Sequence, residues 1–184
     1  MAGESKNSDA ATEIPEFVSL PKGKMAVARR AVLHPSGIAQ NCSTTFPLLE
    51  SHLEKCAAEK DGRPYSIYYF FTPLLTRVEC GIPFKLSSAD KTVPDDPANG
   101  IIVVTHPEVK AAAMWHIGSY EKLGDAYKAL HEWIRSQGKY PGSLLFEEYY
   151  TNTTDEKDPA KYRTRVYMSL SDSFLESMGS CTIT

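Results

Sequence analysis

The chain has 184 residues, 42% of them hydrophobic and 23% charged, which suits one domain with a sizeable core and excludes a disordered chain. Its formal net charge is −3 and its densest basic pair in the folded region is Arg29-Arg30, which argues against nucleic-acid binding through phosphates. No apolar run approaches the length that spans a bilayer, and the first residues lack the apolar core of a secretory signal, so we expect a cytoplasmic protein without a membrane partner.

Residues 1–21 are small, polar and acidic without hydrophobic periodicity, and they predict a flexible N-terminal tail. Residues 22–184 form the single predicted domain. Its first half has four predicted elements: a strand over 25–33, a helix that carries Leu49 and Leu53, and strands over 65–71 and 75–86.

A segment rich in Ser, Asp, Pro and Gly over 87–100 is typical of a linker and leads into the second half. The predicted elements there are a short strand over 101–105, a strand over 109–116, a helix capped by Ser119, and strands over 144–151 and 162–170. The helix carries an apolar stripe at helical spacing, which predicts its core-facing side: Leu123, Tyr127, Leu130 and Ile134.

The same unit occurs twice in the chain. Residues 66–72 (SIYYFFT) correspond to residues 145–151 (LFEEYYT), and the enclosing segments 24–86 and 108–170 have equal length. We therefore predict an α+β fold in which duplicated strand–helix–strand–strand units form one antiparallel sheet with two main helices. A seam between two such halves is a natural place for a central groove.

One difference between the two copies points to a site. Tyr68 of the first copy corresponds to Glu147 of the second, so a single acid replaces an aromatic residue in an otherwise aromatic strand. A desolvated carboxylate there would have a shifted pKa and could act as a general acid or base. The alternative is a cross-strand ion pair with Arg165, which the hairpin places roughly opposite Glu147.

Several of these segments resemble the GyrI-like small-molecule-binding family. The similar segments are the run from Val109 to Tyr120 with the helix that follows it, Glu147-x-Tyr149, Asp158-Pro159 and Thr164-x-Val166. This superfamily includes effector-binding domains of multidrug-sensing regulators, stand-alone gyrase-inhibitor-like proteins and SOUL haem-binding proteins. The resemblance implies an aromatic groove with one central Glu that binds flat, often cationic, organic molecules.

The resemblance and the aromatic pattern together nominate six ligand-binding residues: Glu147, Tyr68, Trp115, Tyr120, Tyr149 and His116. The function that this implies is a stand-alone protein that holds a flat hydrophobic organic ligand between its halves, as a monomer or weak dimer. One alternative is a hydrolase of a strained or electrophilic, cyclopropanoid-type molecule, with Glu147 and Tyr68 as the catalytic residues. Further alternatives are a haem or tetrapyrrole binder and an inhibitor of a protein partner such as gyrase.

Cysteine and histidine spacing points to no metal centre. The cysteines Cys42, Cys56, Cys80 and Cys181 lack C-x-x-C spacing, which predicts free thiols in a reducing compartment, although pairing between two spatial neighbours stays open. The five histidines show no metal-ligand spacing either. We expect no metal and no cofactor, apart from the haem alternative.

Overall fold

In the described part of the chain, one antiparallel sheet of nine strands carries two helices on one face. The computed structural model describes residues 14–32, 35–71, 75–88, 91–151 and 155–172. The strands are β1 (Glu16–Leu20), β2 (Gly23–Val32), β3 (Glu59–Lys60), β4 (Tyr65–Phe71), β5 (Thr76–Lys85), β6 (Ile101–His106), β7 (Val109–Ile117), β8 (Tyr140–Tyr149) and β9 (Arg163–Ser171). The helices are α1 (Ile38–Lys55) and α2 (Leu123–Ser136).

The strand order is β1-β7-β9-β8-β4-β5-β2-β6, with the short β3 paired to β5. It confirms the predicted duplication, because β4-β5-β2 with α1 and β8-β9-β7 with α2 are two copies of one strand–helix–strand–strand arrangement. The copies meet where β4 pairs with β8. Tyr68 and Glu147 occupy corresponding places on these two strands, since each lies opposite a valine of the following strand, Val78 and Val166 respectively.

Each half is also preceded by a strand that pairs with the other half. β1 precedes β2 but pairs with β7, whereas β6 precedes β7 but pairs with β2. The prediction that residues 1–21 form a flexible tail is therefore wrong for Glu16–Leu20, while residues 1–13 lie outside the described residues. Both faces of β1 are used: the Phe17 ring lies 4.7 Å from that of Trp133, and Val18 packs on the opposite side of the sheet.

Alanines in β2 and β7, each the second strand from an edge of the sheet, let the helices approach the sheet closely. Ala26 and Ala28 of β2 share a buried cluster with Leu49 and Leu53 of α1. Ala112 of β7 shares a second cluster with the apolar stripe of α2, of which Leu123, Leu130 and Ile134 are buried as predicted. Within the described ranges, neither helix is both long and apolar enough to cross a membrane.

The face away from the helices has its own apolar cluster, with Val27, Ile67 and Phe146 among its buried members. Successive residues of a strand point to opposite faces. Glu147 therefore lies on the helix side of β8, and its neighbour Glu148 lies on the other side with Phe146. This alternation decides which predicted site residues can meet.

Candidate functional site

Glu147 lies on the seam between the two halves, where its strand pairs with β4. Its direct partner across the seam is Ser66 of β4, and its partner on the other side is Val166 of β9. Only 6% of the residue is exposed to solvent. The acid that stood out in an aromatic strand is therefore a buried carboxylate on the symmetry seam.

Three tyrosine hydroxyls donate hydrogen bonds to this carboxylate. The hydroxyls of Tyr68 and Tyr149 lie 2.8 Å and 2.7 Å from Oε2 of Glu147. The hydroxyl of Tyr127, which comes from α2, lies 3.3 Å from Oε1 and 3.0 Å from the carbonyl oxygen of Phe146. Residues from both halves and from one helix thus form a cage of phenols around one acid.

The cage is electrostatically unusual, because all its hydrogen-bond donors are neutral. Burial raises the pKa of the Glu147 carboxyl, and the hydrogen bonds from Tyr149, Tyr68 and Tyr127 offset this only in part. Burial and the nearby carboxylate also raise the pKa of the Tyr68 hydroxyl, so the phenols stay protonated. The site can therefore hold a proton on Glu147 or accept a positive charge beside it.

A strip of aromatic rings, half buried, extends from the cage across the space between α1 and the turn before α2. The ring of Tyr149 lies 5.7 Å from Phe46 of α1 and 5.8 Å from Tyr120, both edge to face. Tyr120 in turn lies 5.1 Å from the ring of Tyr162. These rings offer flat apolar surface directly beside the acid.

Two thiols and a hydroxyl border the cage on the side of the first half. Sγ of Cys42 in α1 lies 3.6 Å from Sγ of Cys80 in β5 and 3.6 Å from Oγ of Ser66, the direct strand partner of Glu147. The amide of Asn41 contacts Sγ of Cys80 at 3.6 Å. The proximity of these groups is not visible in the sequence, because Cys42 and Cys80 are 38 residues apart in the chain.

Trp115 does not belong to this site. It follows Ala111 and Ala113 on the face of β7 away from the helices, so its nomination as a groove wall was wrong. Its ring lies 4.5 Å from that of Tyr150 and 4.8 Å from the guanidinium of Arg163. The residues before Trp115 are apolar and buried on both faces of the sheet, so the sequence shows no polar–apolar alternation. Without that alternation, the face on which Trp115 lies cannot be predicted.

Arg165 does not neutralise Glu147. It lies opposite Glu148 in the register between β8 and β9, and its guanidinium forms an ion pair with Glu16 of β1. The predicted ion pair between Glu147 and Arg165 is therefore wrong, because the true strand register differs from the predicted one by one residue. An offset of one residue places a side chain on the other face of the sheet.

His116 has a local partner. Its Nε2 lies 2.9 Å from the carbonyl oxygen of Ser119, which can only accept, so the ring donates and fixes the turn before α2. The structure brings Tyr68, Tyr149 and Tyr120 together with Glu147 and gives His116 this role in the turn. Tyr127 was predicted as a core residue and not as a site residue, although its hydroxyl belongs to the cage. Its position four residues after Leu123 indicates only that its side chain faces the sheet.

A second buried acid lies on the opposite face. Glu79 is fully buried, and its carboxylate accepts hydrogen bonds from Nε of Arg29 at 2.6 Å and from Nε2 of His106 at 2.7 Å. Burial works to raise the pKa of Glu79, but the bonds from His106 and Arg29 prevail and lower it. The hydroxyls of Tyr65 and Tyr69 complete the cluster at 3.4 Å and 3.3 Å. This acid has a charged partner in Arg29, whereas the hydrogen-bond donors to Glu147 are neutral phenols.

Neither of the two main surface pockets in the described part of the chain includes Glu147. One, of about 640 Å³, lies beside Phe84, Leu86 and Val93, and the other lies beside Gly142, Leu144 and Ser169. Around Glu147 itself, tyrosine side chains occupy the seam, with the hydroxyls of Tyr68, Tyr149 and Tyr127 on its carboxylate. No group of three or more His, Cys, Asp or Glu residues in the described ranges is placed to hold a metal ion.

Comparison with known proteins places this fold. A family model described as the GyrI-like small molecule binding domain matches residues 48–171. The solved C-terminal domain of EcmrR is 16% identical, with a TM-score of 0.72, and the match covers 87% of this chain and 98% of that domain. In an EcmrR–DNA complex, the same match covers 58% of the longer EcmrR chain.

Two further structures share the fold. A hydrolase encoded by lin2189 from Listeria innocua is 12% identical with a TM-score of 0.62, over 85% of this chain and 91% of that one. SAV2435 bound to tetraphenylphosphonium is 14% identical with a TM-score of 0.55, over 86% and 94%. At these identities the likeness concerns the fold alone, and no curated protein matches the sequence significantly.

Proposed function

Because the chain belongs to the GyrI-like small-molecule-binding domain family, we propose that it binds a flat, hydrophobic organic cation at the seam between its two halves. The observation that carries this proposal is the carboxylate of Glu147, which is buried among neutral phenols. Within the described residues no ion pair includes Glu147, so no cationic side chain of those residues neutralises its negative charge. Burying an unpaired charge is costly, and a cationic ligand would supply the missing partner.

The rings around the acid suit the same ligand. The rings of Phe46 and Tyr120 each lie within 6 Å of the ring of Tyr149, which links α1 to the turn before α2. Aromatic faces attract cations, and the attraction is stronger where water is excluded. The ligand class that satisfies both the acid and the rings is an aromatic cation, such as the tetraphenylphosphonium bound by SAV2435.

Binding requires the seam to open. Glu147 is 6% exposed and three hydroxyls occupy its oxygens, so a ligand must displace at least one phenol and separate α1 from the turn before α2. The displaced hydrogen bond is replaced by an ion pair in a region of low dielectric constant. The three phenols thus supply the hydrogen bonds of the carboxylate until a ligand displaces them.

Titration with tetraphenylphosphonium in a calorimeter tests the proposal. Replacing Glu147 by Gln keeps the shape and removes the charge, and we expect about 30-fold weaker binding, which corresponds to about 2 kcal/mol. Glu148→Gln is the matched control, because Glu148 is the next residue of the same strand on the opposite face; it should bind as the unmodified chain does. Equal losses in the two variants, or none in Glu147→Gln, would refute a role for this acid.

A neutral ligand of similar shape distinguishes the contribution of charge to the binding affinity from the contribution of packing. Triphenylphosphine oxide carries no net positive charge, so Glu147→Gln should change its binding little compared with the phosphonium. A similar loss for both ligands would indicate that the substitution disturbs the shape of the site and that the carboxylate charge is not recognised.

Hydrolysis is the second candidate, and the raised pKa of Glu147 is what favours it. A carboxyl whose pKa is raised by burial keeps its proton to higher pH than an exposed one and can protonate a leaving group, and the hydroxyl of Tyr68 at 2.8 Å could position it. Incubation with a cyclopropane-containing electrophile, followed by mass spectrometry, tests this. Ring-opened product should form with the unmodified chain and fall at least ~100-fold with Glu147→Gln, the loss typical of a missing general acid.

A further inference from the structure

The pair formed by Cys42 and Cys80 is the strongest chemical feature that the phenol cage does not use. The two sulfur atoms lie 3.6 Å apart, although the residues belong to different elements, α1 and β5. Oγ of Ser66 lies 3.6 Å from one sulfur and 3.8 Å from the other. Two thiols from distant parts of the chain are thus in direct contact beside the strand partner of Glu147.

The two thiols differ in exposure and acidity. Cys80 is fully buried, whereas Cys42 is half buried near the start of α1. The hydrogen bond from the Cys80 thiol is the main cause that lowers the pKa of Cys42, and the bond from Ser66 adds to it. A partly exposed thiol with a lowered pKa, next to a buried second thiol, is the arrangement of an attacking and a resolving cysteine.

We propose that Cys42 and Cys80 are an oxidation site at which hydrogen peroxide forms an intramolecular disulfide between α1 and β5. In the first step the thiolate of Cys42 attacks one peroxide oxygen, the O–O bond breaks, and the departing hydroxide takes a proton to become water. Cys42 is then a sulfenic acid.

In the second step Sγ of Cys80 attacks Sγ of Cys42, the S–O bond breaks, and the hydroxide leaves as water with the proton of the Cys80 thiol. The two thiols supply two electrons, and peroxide is reduced to two molecules of water. The sulfur atoms need to approach from 3.6 Å to a bonded distance of about 2.05 Å, which a side-chain rotation and a small shift of α1 can supply.

The disulfide has a consequence for the seam, and this part rests on the proposed function. Cys42 lies near the start of α1, four residues before Phe46 of the aromatic strip. A covalent link to β5 holds this part of α1 against the sheet. If ligand access requires α1 to move, oxidation keeps the seam closed and weakens binding.

Peptide mapping of the full chain tests the oxidation site. Trypsin places each cysteine in a separate peptide: 31–55 holds Cys42, 56–60 holds Cys56, 78–85 holds Cys80 and 166–184 holds Cys181. The folded protein is treated with peroxide, alkylated, digested without reductant and analysed by mass spectrometry. We expect 31–55 linked to 78–85 at more than ten times the yield of any other pair, and loss of this product with dithiothreitol.

The unmodified chain supplies the decisive comparison, so the result does not depend on whether a variant folds. Cross-linking that is as frequent with peptide 56–60, or no disulfide between 31–55 and 78–85, would overturn the proposal. Cys56→Ser is the matched control and should give the same linked product. Cys80→Ser should leave Cys42 as a sulfenic acid that dimedone traps.

Binding of tetraphenylphosphonium then tests the consequence. The oxidised chain should bind at least tenfold more weakly than the reduced chain, and dithiothreitol should restore affinity. Equal affinity in both states would overturn the closing role but leave the disulfide standing. If the reduced chain fails to bind tetraphenylphosphonium, the proposed function is wrong, and the oxidation site is judged by the peptide map alone.

Discussion

Two buried acids of this protein are held in opposite ways. Among the described residues, Glu147 on the helix face accepts side-chain hydrogen bonds from tyrosines alone, so burial dominates and its pKa is raised. Glu79 on the other face has Arg29 and His106 as partners, and its pKa is lowered. A charge with a charged partner stabilises a fold, whereas a charge among neutral donors is available to a ligand.

Removing the charge of Glu147 should stabilise the free protein above neutral pH. Its folded pKa lies above the unfolded value, so the stability associated with this carboxyl is present at low pH and is lost as pH rises through the folded pKa. Glu147→Gln should therefore raise the free energy of unfolding at pH 8, on the order of 1 kcal/mol, and by less at pH 5. Urea unfolding at both pH values measures this; a variant that is less stable at pH 8 would contradict it.

The same shift predicts that cation binding depends on pH. A phosphonium ligand pairs with the ionised carboxylate, so below the folded pKa of Glu147 it must displace a proton. Its affinity should rise by up to about tenfold per pH unit and level off above that pKa. Calorimetry across pH 5 to 8.5 in buffers of different ionisation enthalpy would show the proton release. A flat profile, or the same profile in Glu147→Gln, would show that another group titrates.

Glu79→Gln should destabilise the protein, unlike the change at Glu147. The substitution leaves the guanidinium of Arg29 without its carboxylate, although the side chain of Arg29 is 50% exposed and water replaces part of the interaction. We expect a loss of about 2 kcal/mol at pH 7, which is less than for a fully buried pair. Because the folded pKa of Glu79 is depressed, its stabilisation is present above the unfolded pKa and is lost as pH falls through the folded pKa.

The difference between variant and unmodified chain should therefore shrink as pH falls below 4, which denaturant melts at several pH values would show. A pH-independent loss would indicate that packing around Glu79, and not its charge, is responsible.

At the scale of elements, the edge strand β1 tests how much of the N-terminus belongs to the fold. Removing residues 1–20 deletes the pairing of β1 with β7 and the contacts of Phe17 and Val18. We expect this truncation to lower stability by about 2–4 kcal/mol, the value for burying two or three partly exposed apolar side chains. Removing residues 1–13 is the control and should have little effect. Equal melting temperatures for both would mean that β1 contributes nothing.

The strands also show where sequence patterns lose information. Most predicted strands and the second helix lie within a few residues of their positions in the structure, because turns and apolar runs mark them locally. In β7, however, Ala111–Met114 are buried on both faces, so no alternation shows which way Trp115 points. The strand β1 was not predicted because it is only five residues long. So short a stretch contains too few alternating apolar and polar residues to tell an edge strand from an irregular tail.

For the whole molecule, the strand that precedes each half pairs with the other half, and we expect this pairing to join the halves into one cooperative unit. β1 belongs in sequence to the first half but pairs with the second, and β6 does the converse. A fragment of residues 14–88 would therefore lack β6 on one edge and expose the seam on the other. We expect this fragment not to unfold cooperatively, and the full chain to unfold in one transition, as circular dichroism during melting would show. A cooperative transition in the fragment would contradict the interdependence of the halves.

Local patterns and the internal repeat were sufficient to predict the duplicated α+β architecture and to single out Glu147 against Tyr68, because both are visible within short stretches of chain. The partners of Glu147 depended on long-range packing. Tyr127 reaches it from α2, Arg165 is directed instead to Glu16, and Cys42 meets Cys80 across 38 residues. A one-residue change of strand register reverses the face on which each side chain lies. Register between distant strands is set by the packing of the whole sheet, so these contacts became visible only in the folded chain.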